Sequence, residues 1–303
     1  MDSELRRSAI ALYDRFTHDE RRNPDCSGGA IDPPLGRRLF MRRMIALAGS
    51  VAAAEALIGA ISASPAAAAL TDPADPRLII KKGPLGFSSP LSGYVAVKQG
   101  TKSAPVVLVI HENRGLIAHI EDVTRRLALA GYFTVAPDLL TSIGGTPPDE
   151  NAARAAIGKL DLDTAVAQVV DLAKRAPGLH HDNGRVGAVG FCWGGAFVDR
   201  LSVSAGPALK AVVSYYGPAP DPSEAPKVQT PLLLHYAGLD DRVDATCKPW
   251  VEALKRAGKD VTAFTYPGVN HAFNNDTSAE RYNQPAADLA WGRTLAFFRK
   301  HLG

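Results

Sequence analysis

Cysteine is scarce in this chain: Cys26, Cys192 and Cys247 are the 3 in 303 residues. Three cannot build a disulfide framework, and none has the C-x-x-C spacing of a metal site. Charge of one sign is also lacking. Lys and Arg number 34 against 31 Asp and Glu, a formal charge of +3. The main body has no Lys/Arg stripe with interleaved aromatics, so nucleic acid is not an expected partner. No internal repeat is present. The one long apolar run, Met44 to about Ile61, is Ala-rich, carries Glu55 and is only marginally long enough to span a bilayer. What remains is an ordinary globular composition, 46% hydrophobic and 21% charged with a mean hydropathy of -0.05. It suffices for one large α/β domain or two small ones.

The first seventy residues read as an address. Residues 1–36 form a charged leader with one short amphipathic piece, "SELRRSAIALYDRF". Residues 37–69 carry Arg37 and Arg38 followed by Leu39, Phe40, Met41 and Arg42, then the Ala/Gly-rich run, then "SASPAAAA". That is the layout of a twin-arginine signal peptide with small residues for cleavage between Ala66 and Ala69. The expectation is a periplasmic or exported protein that folds first and contacts the twin-arginine export machinery transiently. The competing reading keeps the signal uncleaved as a membrane anchor.

From residue 70 to 303 strand and helix patterns alternate. Strands are expected at Tyr94–Lys98, at "VVLVI", "YFTVAPDLL", "RVGAVGF", "LKAVVSYYG", "PLLLHYAG" and "VTAFTYP". Helices are expected at about 118–130, 150–175, over "GGAFVDRLSV", and at about 245–257 and 285–301. A continuous apolar run such as "VVLVI" is typical of a strand covered on both faces. This spacing predicts an α/β domain built on a mainly parallel sheet with helices on both sides. No exposed apolar stripe is evident, so a monomer is expected.

In such sheets function gathers at the carboxyl ends of the strands. There the sequence places "HENRG", "CWGG", "GLDDRVD" and "GVNHAFNN", presenting a glutamate, a cysteine, an aspartate and a histidine. The order nucleophile, acid, histidine matches the α/β-hydrolase arrangement, and Gly190-Phe191-Cys192-Trp193-Gly194 is a G-x-nucleophile-x-G turn. Cys192 is the candidate nucleophile, its pKa expected to be lowered by the helix N-terminus and a nearby histidine. His271 is the candidate base, oriented by Asp240, which competes with Asp241 and Asp244 and is favoured as the first acid after Gly238. The oxyanion hole is expected from the Trp193 backbone N–H with a second donor from Asn113, and Glu112 is expected to face the pocket. Cys247, His111 and His235 read as core residues.

On "HENRGL", "GYFTVAPDLL", "VGAVGFCWGG", "YYG", "HYAGLDD" and "NHAF" the chain resembles the dienelactone hydrolase (carboxymethylenebutenolidase) family from about residue 75 to the end. The resemblance implies a single α/β-hydrolase domain and a Cys–His–Asp triad at Cys192, His271 and Asp240. Glu112 would pair with the thiol and help form the thiolate when substrate binds. The implied reaction is hydrolysis of a small lactone or ester, of the dienelactone-to-maleylacetate type, through a thioester and with no metal or organic cofactor. The chain departs from the family in placing Asn275 where an arginine binds the substrate carboxylate, with Arg154 as a conceivable substitute, and Phe191 where tyrosine is common. A broader periplasmic carboxylesterase and a catalytically silent binding protein on the same fold remain as alternatives.

Overall fold

All seven residues of the strand Ala104–Ile110 are buried, and the architecture follows from that strand. In the computed structural model, which describes residues 71–303 apart from 87–88 and 179–181, this is the third of eight strands in one sheet. In chain order they are β1 Leu78–Pro84, β2 Ser92–Lys98, β3 Ala104–Ile110, β4 Phe133–Asp138, β5 Asp182–Phe191, β6 Ala211–Tyr215, β7 Leu232–Ala237 and β8 Val261–Tyr266. Their order across the sheet is β1-β2-β4-β3-β5-β6-β7-β8. The β1–β2 and β2–β4 pairs are antiparallel and all other pairs parallel. The helices are α1 Ala118–Leu129, α2 Glu150–Ile157, α3 Leu162–Arg175, α4 Trp193–Ser204, α5 Asp241–Arg256 and α6 Gln284–Leu302. The fold is therefore the α/β-hydrolase fold of a single domain.

Alternation within β3 explains why both faces need covering. Val106, Leu108 and Ile110 pack with side chains of α3, α4 and α5, among them Leu172, Phe197 and Trp250. Val107 and Val109 pack with α1 and α6 through Ile120, Leu127, Phe298 and Leu302. Each such side chain contributes about 1.5–3 kcal/mol on burial, so the sheet centre is the most costly place to disturb. It is also the floor on which the strand-end loops stand.

Helix ends are fixed locally. Asp149, Asp161 and Asn283 accept hydrogen bonds from Ala152, Thr164 and Ala286 N–H at the starts of α2, α3 and α6. The single helix expected over 150–175 is two helices, because Gly158 ends α2 and the Asp161 cap starts α3. Strand β1 was not expected; it is an edge strand whose "LIIKKGP" has no clean alternation. Helix α5 begins at Asp241 rather than near 245. The leader and the twin-arginine signal expected over 1–69 lie outside the described residues. Among the described residues no helix is long and apolar enough to cross a membrane.

Candidate active site

Cys192 sits between the end of β5 and the start of α4, with φ 56° and ψ -115°. A non-glycine residue at positive φ costs about 1–3 kcal/mol and persists only where its surroundings enforce it. The enforcement here is steric. A Cβ on Gly190 would fall on the Gly194 carbonyl, and a Cβ on Gly194 would fall on the His111 carbonyl. Strand, turn and helix therefore approach more closely than any side chain allows. Cys192 N–H donates to Tyr215 O at 3.0 Å and Ala196 N–H donates to Cys192 O at 3.1 Å, which pins the turn to β6 and to α4.

The sulfur points to the loop after β8. His271 Nε2 lies 3.1 Å from Cys192 Sγ, and His271 Nδ1 lies 2.5 Å from Asp240 Oδ2. A carboxylate only accepts, so Nδ1 carries the hydrogen and Nε2 is left to accept from the thiol. Asp240 is itself held as the N-cap of α5, accepting from Val243 N–H at 3.4 Å. Of the three competing acids it is Asp240 that reaches His271, whereas Asp244 contacts Cys247 and Lys248. Tyr216, also at positive φ (40°), lays its ring 5.0 Å from that of His271.

The thiol is not pre-ionised. Its pKa is pushed up to about 11, first by burial and then by the charge of Glu112, with Asp240 adding to the rise. The Trp193 backbone N–H and the Arg242 guanidinium act in the opposite direction and are outweighed. The expectation of a lowered pKa is corrected on this point: desolvation of the sulfur and the field of Glu112 exceed the pull of the helix N-terminus.

Glu112, at the end of β3, is buried beside this group. Its Oε2 accepts from Asn275 Nδ2 at 2.8 Å, while Oε1 has no hydrogen-bond partner among the described residues. The sulfur lies within hydrogen-bond distance of His271 Nε2, and Glu112 acts on the thiol through its charge. Asn113 follows in the half-buried turn that Gly115 N–H closes onto Glu112 O at 3.2 Å. Trp193 begins α4 and stacks on His111 with ring centres 5.8 Å apart.

Asn275 is buried and fully engaged, since its Oδ1 accepts from Thr277 N–H at 3.0 Å and from Thr277 Oγ1 at 2.6 Å. Arg154 pairs with Glu150 at 3.4 Å, and Glu150 is shared with Arg114 at 3.2 Å. Arg242, by contrast, is exposed in the first turn of α5.

The residues expected in the core are found there. His111 accepts from Leu139 N–H through Nε2 at 3.3 Å and therefore donates from Nδ1 to Glu112 O at 2.8 Å. His235 lies between Tyr266 OH at 2.9 Å and Thr294 Oγ1 at 3.1 Å. Cys247 is buried, its thiol pushed up to about 12 by burial and by Asp244. Sequence reasoning missed His119, Asp276, Tyr216 and Arg242; Tyr216 lies in "YYG", Arg242 in "GLDDRVD" and Asp276 just past "GVNHAFNN", but their contacts depend on loops meeting in space. Among the described residues no group of three or more His, Cys, Asp and Glu is placed to hold a metal. Cavities of about 420 and 630 Å³ lie under β1–β2 and beside α2, and Cys192 lines neither.

Known proteins share this chain's sequence and fold over most of the described residues. The model of the family described as "Dienelactone hydrolase family" matches residues 91–302. A protein of Methylorubrum extorquens named "Putative carboxymethylenebutenolidase" is 34% identical over 218 residues, covering 65% of this chain and 72% of its own. One of the same name from Escherichia coli O157:H7 is 30% identical over 264 residues, covering 80% and 94%. The crystal structure of a Klebsiella pneumoniae protein named "Putative Dienelactone Hydrolase" superposes with a TM-score of 0.66 at 28% identity, covering 73% of this chain and 98% of that one.

Proposed function

Because the chain belongs to the dienelactone hydrolase family, hydrolases acting on esters and lactones, we propose that Cys192, His271 and Asp240 are its catalytic triad. The observation that carries the proposal is the unbroken hydrogen-bonded line from sulfur to imidazole to carboxylate, at 3.1 and 2.5 Å. In this mechanism His271 Nε2 takes the thiol proton as the sulfur attacks the carbonyl carbon of the substrate. A C–S bond forms and the carbonyl electrons move to oxygen, which the Trp193 and Asn113 backbone N–H groups stabilise. The tetrahedral species collapses, the C–O bond to the leaving group breaks, and the departing oxygen receives the proton from His271. Water then attacks the thioester, His271 removes the water's proton, and the sulfur leaves with it. Asp240 stabilises the imidazolium formed twice in the cycle.

A resting thiol near pKa 11 fits this sequence, because deprotonation is coupled to attack instead of preceding it. It also protects the cysteine, since oxidation and alkylation follow thiolate content.

The substrate proposed is a small lactone or ester. Asn275 is held by Glu112 and Thr277 and carries no charge, so a substrate carboxylate is not bound at that position. That favours an ester range broader than dienelactone itself. Residues 37–69 are proposed to send the enzyme out of the cytoplasm through the twin-arginine route, which fusion of residues 1–69 to a reporter tests directly.

The decisive assay for the triad is turnover of dienelactone and of small p-nitrophenyl esters by the enzyme and its Cys192→Ala variant. Hydrolysis abolished by the substitution is the expected result. Undiminished hydrolysis in the variant removes Cys192 from the mechanism, and an alkylatable Cys192 with no turnover of any ester points to the binding-protein alternative.

A further inference from the structure

Behind the proposed triad lies a buried polar group that the mechanism above does not use. His119, in the first turn of α1, is 1% exposed, and its Nδ1 lies 2.8 Å from Asp276 Oδ1 in the loop after β8. Asp276 directly follows Asn275, the residue whose amide donates to Glu112 Oε2. Three strand-end and helix-start segments thus meet: Glu112 from β3, His119 from α1, and Asn275 with Asp276 from the loop after β8. The inner atoms of all three ionisable groups, Glu112 Oε1, His119 Nε2 and Asp276 Oδ2, are buried with no hydrogen-bond partner among the described residues.

Charges placed this deep are costly unless balanced, by several kcal/mol for an unpaired ion. His119 supplies Asp276 with its buried partner, and Asn275 supplies Glu112 with a neutral amide. The groups facing His119 are Asp276 and Glu112 from other elements, Asp122 from its own helix, and the neutral ring of Phe191 at 6.2 Å. Asp122 has its own partner in Arg125 at 3.6 Å. Burial alone would keep His119 neutral, but the hydrogen bond to Asp276 and the three carboxylate charges together raise its pKa above the ordinary histidine value.

We propose that His119 is a positioning residue of the hydrolase site: by holding Asp276 it fixes the loop after β8 whose Asn275 amide keeps Glu112 in place beside the Cys192 sulfur. This rests on the assignment of Cys192 as the nucleophile and adds a residue remote from the substrate that tunes it. The coupling runs through Glu112. His119 is not among the groups that act on the thiol, which are Glu112, Asp240, Arg242 and the Trp193 N–H.

A double-substitution cycle read by thiol titration separates this from a packing role. The apparent pKa of Cys192 is taken from the pH dependence of iodoacetamide alkylation in the full-length protein, with His119→Gln, Glu112→Gln and the double variant alongside. Losing the His119–Asp276 contact releases the loop that carries Asn275, and Glu112, no longer held by that amide, shifts and pushes less on the sulfur. His119→Gln is therefore expected to lower the apparent thiol pKa in the direction set by Glu112→Gln, with at least a threefold gain in alkylation rate at pH 8. In the Glu112→Gln background the same substitution is expected to change the rate by less than 1.5-fold, roughly the error of such rates. Equal effects of His119→Gln with and without Glu112, or no effect in either, overturn the proposal. Should His119→Gln fold poorly, Asp276→Asn, which weakens the same contact while keeping the side-chain shape, is run through the same cycle. A Cys192 that resists alkylation at every pH overturns both this proposal and the triad, whereas normal alkylation without ester turnover sinks the hydrolase assignment alone.

Discussion

Alanine substitution at two glycines of this fold is expected to change stability in opposite directions. At Gly190 the new methyl must enter space already filled by backbone, landing on the Gly194 carbonyl and 3.0 Å from Gly195 N. No flexible side chain is available to move aside. Gly190 is also locked in register with Ile110 on β3 and Ser214 on β6, so β5 cannot slide to relieve the contact. Overpacking a closed core costs about 1–3 kcal/mol and more where backbone must shift, and the upper end applies here. For a domain of this size a loss of about 3 kcal/mol lowers Tm by about 6–12 °C. Gly292 is the internal control. It lies inside α6, away from the closed core, and a methyl at this position would meet nothing within 4 Å. Alanine there gains about 0.5–1 kcal/mol from helix propensity alone, equivalent to about 1–4 °C. Thermal and urea unfolding of the two variants measure both signs. Because Gly190→Ala also displaces the turn, Cys192 alkylation should slow in it and not in Gly292→Ala. A Gly190→Ala protein within about 0.5 kcal/mol of the parent, the range of a neutral surface change, would refute the claim that close backbone approach builds the turn.

Three further outcomes follow from the site and its surroundings. Asp240→Asn should leave the fold intact and lower kcat by about 10³–10⁴-fold, because an amide at that position no longer fixes the His271 tautomer; a loss under tenfold in steady-state ester hydrolysis contradicts the orienting role. With the thiol near 11, Cys192 alkylation should climb about tenfold per pH unit from 7 to 10, whereas a plateau reached below pH 8 would mean a preformed thiolate. His235 is fully buried, and burial followed by the Arg293 charge pushes its pKa down to about 3. It stays neutral in the fold while the unfolded chain binds a proton below about 6.5, so stability falls as pH drops through that window, by about 2 kcal/mol at pH 5. Urea unfolding at pH 7 and pH 5 should show this loss in the parent and much less of it in His235→Gln.

Most of the fold was legible because its signals are local. A continuous apolar run such as "VVLVI" needs no partner to be recognised as a doubly covered strand, and Gly190 and Gly194 mark a turn whatever surrounds them. The candidate nucleophile, acid and histidine were legible for a related reason: each stands just past a strand, where a parallel sheet collects function. Strand β1 was missed because an edge strand exposes residues on both faces and loses its alternation. The break between α2 and α3 was missed because Gly158 alone is tolerated in a helix, and only the Asp161 cap makes it an end. The thiol's state was misjudged for a physical reason. A helix N-terminus and a histidine are visible in sequence, but burial and the approach of Glu112 are properties of the assembled site. His119 and Asp276, 157 positions apart, carry no sequence signal of their contact.

Rapid-quench mass spectrometry of the enzyme mixed with p-nitrophenyl acetate tests the cysteine mechanism most directly. Attack by sulfur predicts a transient addition of one acetyl group, mapped to the peptide containing Cys192, formed as nitrophenolate is released and absent from Cys192→Ala. Ester turnover with no such adduct, continuing at the same rate in Cys192→Ala, would contradict it.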